Sequence, residues 1–288
     1  MQIQNMKTLL LSALCLFSVG ISQAQEATNK VILKKGDVIK VNSDMMSSMT
    51  QPMMGDESAE MKTSSKSLTV LEVTEELPNG YKLSKTLKTL TFDFDGFGQT
   101  TSYNSEKDAK TESPFLKPIA EKVGITEEIM IGFDGKEIEK EDKDLDKNKK
   151  GPGRRGGFGG MGGLMKMGNG VSAAFQLIPK GALENMGWED TTEKDGFKTR
   201  RKYKIGGMLG NMAKIYVQSQ TTGETEMNQA GKQITNKVNN TAEEMILVNI
   251  ETGRVQMQTI NGQTHNKTIV DDKERPSSGT TSVTITIE

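Results

Sequence analysis

Three sets of side chains in this sequence have the type and spacing to do chemistry. Methionine stands out first, with 18 in 288 residues. Met45, Met46, Met49, Met53, Met54 and Met61 fall in one polar stretch, and Met161, Met165 and Met167 in a glycine-rich one. Thioethers are soft ligands that select Cu(I) or Ag(I), and a flexible loop can gather three around one ion. Met45, Met46, Met49, Met53 and Met54 are the ligands of such a site if their stretch is a loop. The competing reading is adaptable packing or partner contact. Asp93 and Asp95 share a parity beside a turn, which is how two carboxylates are set up to flank a glycosidic bond; Asp-x-Asp-Gly is also an ordinary strand ending. His265 is the single histidine, and nucleophilic catalysis needs a positioned base. Its setting, Gly262-Gln263-Thr264-His265-Asn266, reads as a solvated strand start. Asp142, Asp144, Asp146 and Asn148 imitate a calcium loop, but Lys147 and Gly153 occupy the positions that need glycine and glutamate. A noncatalytic protein without a cofactor is the expectation.

The elements that must position these residues are mostly strands. Apolar residues recur with a period of two between Gly, Asn and Asp turns. Leu77-Pro78-Asn79-Gly80 and Asp95-Gly96-Phe97-Gly98 are turns by composition. Between them Leu83 and Leu87 share one parity while Leu90, Phe92 and Phe94 share the other, which predicts a bulge near Lys88. Ser113, Pro114, the stripe Leu116, Ile119, Ala120, Val123 and then Gly124 predict a three-turn helix packed on a sheet face. Residues 125–133 and 136–139 around Asp134-Gly135 predict a hairpin, and residues 171–178 a short helix or strand. The clearest hairpin joins 245–250 to 255–260 through Glu251-Thr252-Gly253-Arg254, with Val255 and Met257 continuing the layer of Ile246, Val248 and Ile250. Residues 233–239 are a weaker strand. Val283, Ile285 and Ile287 alternate with threonines to the end, which predicts a paired terminal strand.

Residues 140–170 break the pattern with a charge run and then a glycine-rich tract, whose ordering entropy burial cannot offset. They read as a flexible insertion between two β-rich halves, 25–139 and 171–288. Lys149, Lys150, Arg154, Arg155 and Phe158 within it resemble an Arg-Gly-Gly segment. At the other end, Lys7, the apolar run 9–21 and Ser22-Gln23-Ala24 predict a cleaved signal peptide over 1–24. The run is too short to span a membrane, and bulky Leu14 before Cys15 argues against a lipidated cysteine. Export makes nucleic acid an unsuitable partner. The mature chain would carry roughly 260 residues, a formal charge of about −2 and no cysteine, so burial and backbone bonding must hold it. Asn239-Asn240-Thr241 and Asn266-Lys267-Thr268 match the glycosylation triplet, which bears only on a eukaryotic host.

Leu33-Lys34-Lys35-Gly36-Asp37, Asn79-Gly80-Tyr81, Gly132-Phe133-Asp134-Gly135-Lys136 and Gly187-Trp188 resemble an uncharacterised family of exported bacterial β-proteins, a domain of unknown function. The resemblance implies an antiparallel scaffold and a periplasmic or envelope-associated location, and brings no catalytic residues. The expected fold is mainly β: an antiparallel, strongly curved sheet, sandwich or half-barrel with one short helix. Its apolar concave face would take a lipid-like ligand or an envelope protein, with Leu90, Phe92, Phe94, Leu116 and Ile119 as candidate lining.

Overall fold

The computed structural model describes residues 27–52, 58–108, 111, 113, 116–138, 170–194, 196–229 and 232–288. The predicted leader, Met53, Met54, the charge run and all but the last residue of the insertion lie outside them. Strands β1 (Val38–Pro52), β2 (Ser58–Leu77), β3 (Gly80–Gly96), β4 (Gln99–Asn104) and β5 (Thr126–Gly132) come from the first half of the chain. The second half supplies β6 (Gly187–Lys194), β7 (Phe197–Leu209), β8 (Met212–Gln229), β9 (Lys232–Asn249), β10 (Val255–Val270) and β11 (Lys273–Ile287). All eleven form one sheet in the order β4-β3-β2-β1-β11-β10-β9-β8-β7-β6, with β5 on β3. Every strand pairing is antiparallel. The halves join where β1 pairs with β11, so the alternating C-terminal segment is an interior strand of the sheet.

Each strand buries one parity. Ile39, Val41 and Met45 of β1 are buried, as are Ile215 and Val217 of β8 and Val283 and Ile285 of β11. We call this the inner face, and the charged, exposed parity the outer face. The sheet curls toward the inner face at the end carrying the β2–β3 and β9–β10 turns, here the lower end. There the Val31 N–H donates to the Phe133 carbonyl, just past β5, at 2.7 Å, and the next amide, Ile32, donates to Thr252 in the β9–β10 turn at 2.9 Å. Five strand spacings separate β5 from β10 in the sheet order, roughly 24 Å if flat. One dipeptide bridges them, so the sheet is strongly curved, in keeping with the expected fold class. Residues 27–35 and 170–187 fill the trough, placing Val31, Leu33, Val171, Ala174, Phe175 and Ile178 in the core. Arg254 at the foot of β10 pairs with Asp37 before β1, across the same end.

The bulge predicted near Lys88 is present: the register slips between Leu68–Thr89 and Thr69–Leu87. The extra residue turns Leu83 and Leu90, of opposite parity, onto one face, where both are buried. The turn Phe97-Gly98 has both φ angles positive, 54° and 71°, as a two-residue hairpin connection requires. Several expectations need correction. The helix, α1, spans only Lys117–Ala120; Pro118 has no N–H to give, so no longer ladder can pass through it. Residues 171–174 turn, Phe175 makes a single bridge to Arg254 and 176–178 are irregular, rather than a helix or strand. After Asp134-Gly135 the return arm is a single bridge, Ile131 to Glu137. The weak strand at 233–239 and the strong one at 245–250 are parts of β9. A register slip between Val255 and Met257 turns Met257 to the outer face, opposite Leu247. Finally, the described methionines of the polar stretch are not in a loop: Met45, Met46 and Met49 lie in β1 and Met61 in β2.

Candidate functional site

Residues directly opposed on neighbouring strands share a face, so the registers define rows running across the sheet. The uppermost row of the sealed core is Phe92, Ser65, Met45, Val283, Ile260, Glu244, Val217 and Tyr203. The next row up the inner face is Phe94, Thr63, Ser47, Thr281, Gly262, Ala242, Ser219 and Arg201. Above it come Met61, Met49, Gly279, Thr264, Asn240 and Thr221. The middle row is a step of small side chains above a bulky apolar row. The apolar clusters of the core touch it only through Phe94 and Ala242.

Gly262 is the most informative position in that step. It sits in mid-strand, and a methyl group added there would approach nothing closer than the Thr241 carbonyl, at 3.7 Å. At Gly279, one row higher, the same addition would come within 2.7 Å of the Ser48 carbonyl. Close strand approach therefore explains Gly279 and leaves Gly262 unexplained by its protein neighbours. A glycine inside a strand marks a bulge, a bend or the close approach of another group.

At the β6–β9 side the inner face carries a polar network. Glu244 lies between Ile260 and Val217 in its row, and burial raises its carboxyl above the ordinary glutamate value, against a hydrogen bond from Gln258 and the nearby Arg201 charge. The Gln258 amide donates to Glu244 Oε2 at 3.0 Å. Arg201 pairs with Asp190 at 3.3 Å. Tyr203 donates its hydroxyl to Asp190 at 3.0 Å and stacks on Trp188 with centroids 4.3 Å apart. Burial, and then the Asp190 charge, push the Tyr203 hydroxyl up, so it stays a donor at neutral pH.

A groove of about 1000 Å³ crosses eight strands from Ser102 on β4 to Gln218 on β8. Three successive rows line it, those of Met46, Ser47 and Ser48. Met45 and Met49, which flank Ser47 on the inner face, do not line it, so it runs over the outer face with the backbone of the Ser47 row as floor. Asp93, Asp95, Lys62, Glu243 and Gln263 border it. Charged side chains border this groove, whereas the inner step is uncharged from Ser47 to Ser219 and lies directly above an apolar row.

The five predicted lining residues gather in one cluster. Leu90, Phe92 and Leu116 are buried in it, with Phe94 and Ile119 packed against them. Phe94 alone of the five extends into the small-residue row. Among the predicted thioether ligands, Met45 is sealed in the core while Met46 is 60% exposed on the outer face. Adjacent residues of a strand face apart, which sets Met46 on the face opposite Met45 and Met49, and four residues of strand, roughly 13 Å, separate those two, so the three do not converge. Met49 instead stands opposite Met61. Asp93 accepts from Ser64 at 3.2 Å and Ser102 at 2.7 Å on the outer face. His265 is exposed in the middle of β10, a correction to the strand-start reading. Among the described residues no cluster of His, Cys, Asp or Glu is placed to hold a metal. Sequence reasoning missed Gly262, Glu244 and the inner asparagines. Their signal was the uncharged parity of residues 219–225, 236–242, 262–268 and 277–283.

The same geometry has a counterpart among solved structures. A structure of lipovitellin concerned with its lipid–protein interactions aligns with a TM-score of 0.52 at 12% identity, over 89% of this chain and 25% of that one. The likeness is one of fold. The chain spans a quarter of lipovitellin's length and has a lipovitellin-like sheet. Pseudomonas aeruginosa OccK7 and OpdQ align over 88% and 89% of this chain and 99% of theirs, at 6% identity, with TM-scores of 0.22 and 0.24, too low to indicate a common fold. No family model matches the chain, and no curated protein matches it in sequence. Among the described residues no helix is long and apolar enough to cross a membrane.

Proposed function

We propose that this chain is a noncatalytic, exported envelope protein that holds a lipid-like ligand on the inner face of its curved sheet, in the small-residue step above the sealed core. The observation that carries the reading is Gly262, a mid-strand glycine where a methyl group would meet only ordinary contacts, so no protein neighbour requires the glycine. An acyl chain laid there would lie along Ser47, Thr281, Gly262 and Ala242, beside the sealed apolar row of Met45, Val283 and Ile260. Removing methylenes from water onto such a surface gains roughly 0.8 kcal/mol each. The lipovitellin-like sheet supports the reading, because the lipovitellin structure concerns lipid–protein interactions. The resemblance to exported bacterial β-proteins and the predicted leader support the location.

The test is direct binding of a fluorescent long-chain acyl probe to the purified protein, with Gly262→Phe as the blocking variant. Wild-type protein is expected to bind saturably, and the variant to lose most of the affinity while keeping its thermal midpoint. Absence of saturable binding, or equal binding by the variant, overturns the reading. Location is checked separately by cell fractionation and the mass of the purified chain. Recovery in the cytoplasm with residues 1–24 attached would defeat it.

A further inference from the structure

We infer that the polar end of the ligand is a neutral, hydroxyl-bearing head group, held by Asn240 and Asn266 above the small-residue step. The inference rests on the proposed lipid site and assigns its ligand class. Asn240 on β9 faces Thr264 on β10, and Asn266 lies two residues further along β10 on the same face. The side-chain carbonyls of both are closed to water and have no hydrogen-bond partner. Buried acceptors of this kind are rare, because an unmet carbonyl costs more than a made bond returns. The next inner asparagine on β9, Asn236, accepts from the Thr268 hydroxyl at 2.9 Å, and Thr199 and Thr221 bond each other at 2.9 Å. The two orphans are diagonal neighbours on adjacent strands of one face, where Asn236, Thr268, Thr199 and Thr221 have made their hydrogen bonds.

Charge selects the class. Between Ser219 and Thr225, Asn236 and Ala242, Gly262 and Thr268, and Ser277 and Val283, every inner-face residue is uncharged, while the outer parity of the same strands carries Glu224, Lys237, Glu243 and Lys267. A carboxylate or phosphate head would meet carbonyl oxygens there, since the one cation of the row below, Arg201, is already paired with Asp190, and an ammonium would be buried without a counter-ion. Turning either amide over exchanges the orphan carbonyl for its NH2. A hydroxyl serves both arrangements, because it donates and accepts. An acyl chain on the floor and a diol at the two asparagines is the chemistry of a monoacylglycerol.

The experiment displaces the fluorescent acyl probe from the full chain with three competitors of one chain length: a monoacylglycerol, the free fatty acid and its methyl ester. The monoacylglycerol is expected to compete about tenfold better than either of the others. Asn240→Leu and Asn266→Leu remove the orphan groups without lowering the thermal midpoint. Each is expected to erase most of that advantage over the methyl ester. A fatty acid that competes as well as the monoacylglycerol, or asparagine variants that leave the ratio intact, overturn the head-group assignment alone. Failure of all three competitors and of the probe overturns the lipid site with it.

Discussion

In the lower half of β8, Ala213, Ile215 and Val217 face inward and are at most 2% exposed. In its upper half Ser219, Thr221 and Thr225 face the same way and remain half-buried. The alternation is unbroken between the two, so the backbone and its pairing are the same; only side-chain size and polarity differ. The lower end is filled by residues 27–35 and 170–187 and braced by Arg254 and Asp37. The upper end is long and paired, and uncharged on the inner side of β8 to β11. One regular scaffold thus provides both a closed core and an open shelf, and the boundary falls at the row of Gly262. Strands of 15 to 20 residues extend well beyond what a core of this depth uses.

The largest expected effect separates these two regions within one strand. Ile215→Ala empties a fully buried position and should lower the unfolding free energy by about 2–5 kcal/mol. Ser219→Ala, four residues along on the same face, should change it by less than about 0.5 kcal/mol. Chemical denaturation of both variants tests the contrast. Equal costs would mean that the upper inner face is core like the lower one, and the shelf would be lost as an explanation.

Next comes the brace. Asp37 also accepts from the Lys34 amide at 3.0 Å, and Asp37 and Arg254 are each about one-third exposed. Asp37→Ala leaves Arg254 partly buried without its counter-ion and should cost roughly 1–2 kcal/mol. Hydrogen exchange should show added opening at the amides of Val31 and Ile32, with β8 and β9 above Gly262 unchanged. If the upper amides loosened instead, the two ends would not be separable.

Much of this division was legible in the sequence. Strand alternation, the turn at Phe97-Gly98, the bulge at Lys88 and the paired terminus all follow from short-range pattern, because a side-chain period of two is local. The curl was legible only as a class of fold. Its cause, Val31 and Ile32 bonding to two turns far apart in the chain, is a long-range contact with no local signature. The methionines misled because Met45, Met46 and Met49 lie among serines, and that polar composition looks like a loop until pairing with β2 and β11 is known. Asn240 and Asn266 were visible as glycosylation triplets, yet their meaning depended on which face each occupies.

A smaller effect tests the border between the ends. Glu244 is the one carboxylate in the topmost core row, with its pKa raised by burial. Below the ordinary glutamate value both folded and unfolded states hold the proton and no penalty arises. As pH rises toward the folded value the unfolded state releases its proton first, so the fold loses stability until both are ionised. Glu244→Gln keeps an acceptor for Gln258 and removes the charge. It should be more stable than wild type at neutral pH and indistinguishable from it in mild acid, which thermal melts across the acid range would show. A gain independent of pH would assign the effect to packing.

The smallest effect belongs to the far tip of the shelf. Asp271 and Asp272, which join β10 to β11, both have positive φ, 51° and 60°, a conformation that costs a side-chain-bearing residue about 1 kcal/mol and glycine almost nothing. Asp272→Gly relieves that strain but frees the unfolded chain, and the two terms oppose each other. The tip also lies about 11 residues beyond Ile260, the last core residue of β10. If the upper end opens independently, relief there is expected to slow hydrogen exchange at Val270 and Lys273 while the global unfolding midpoint stays put. A shift of the midpoint by more than about 0.5 kcal/mol would show that the tip and the core unfold as one unit.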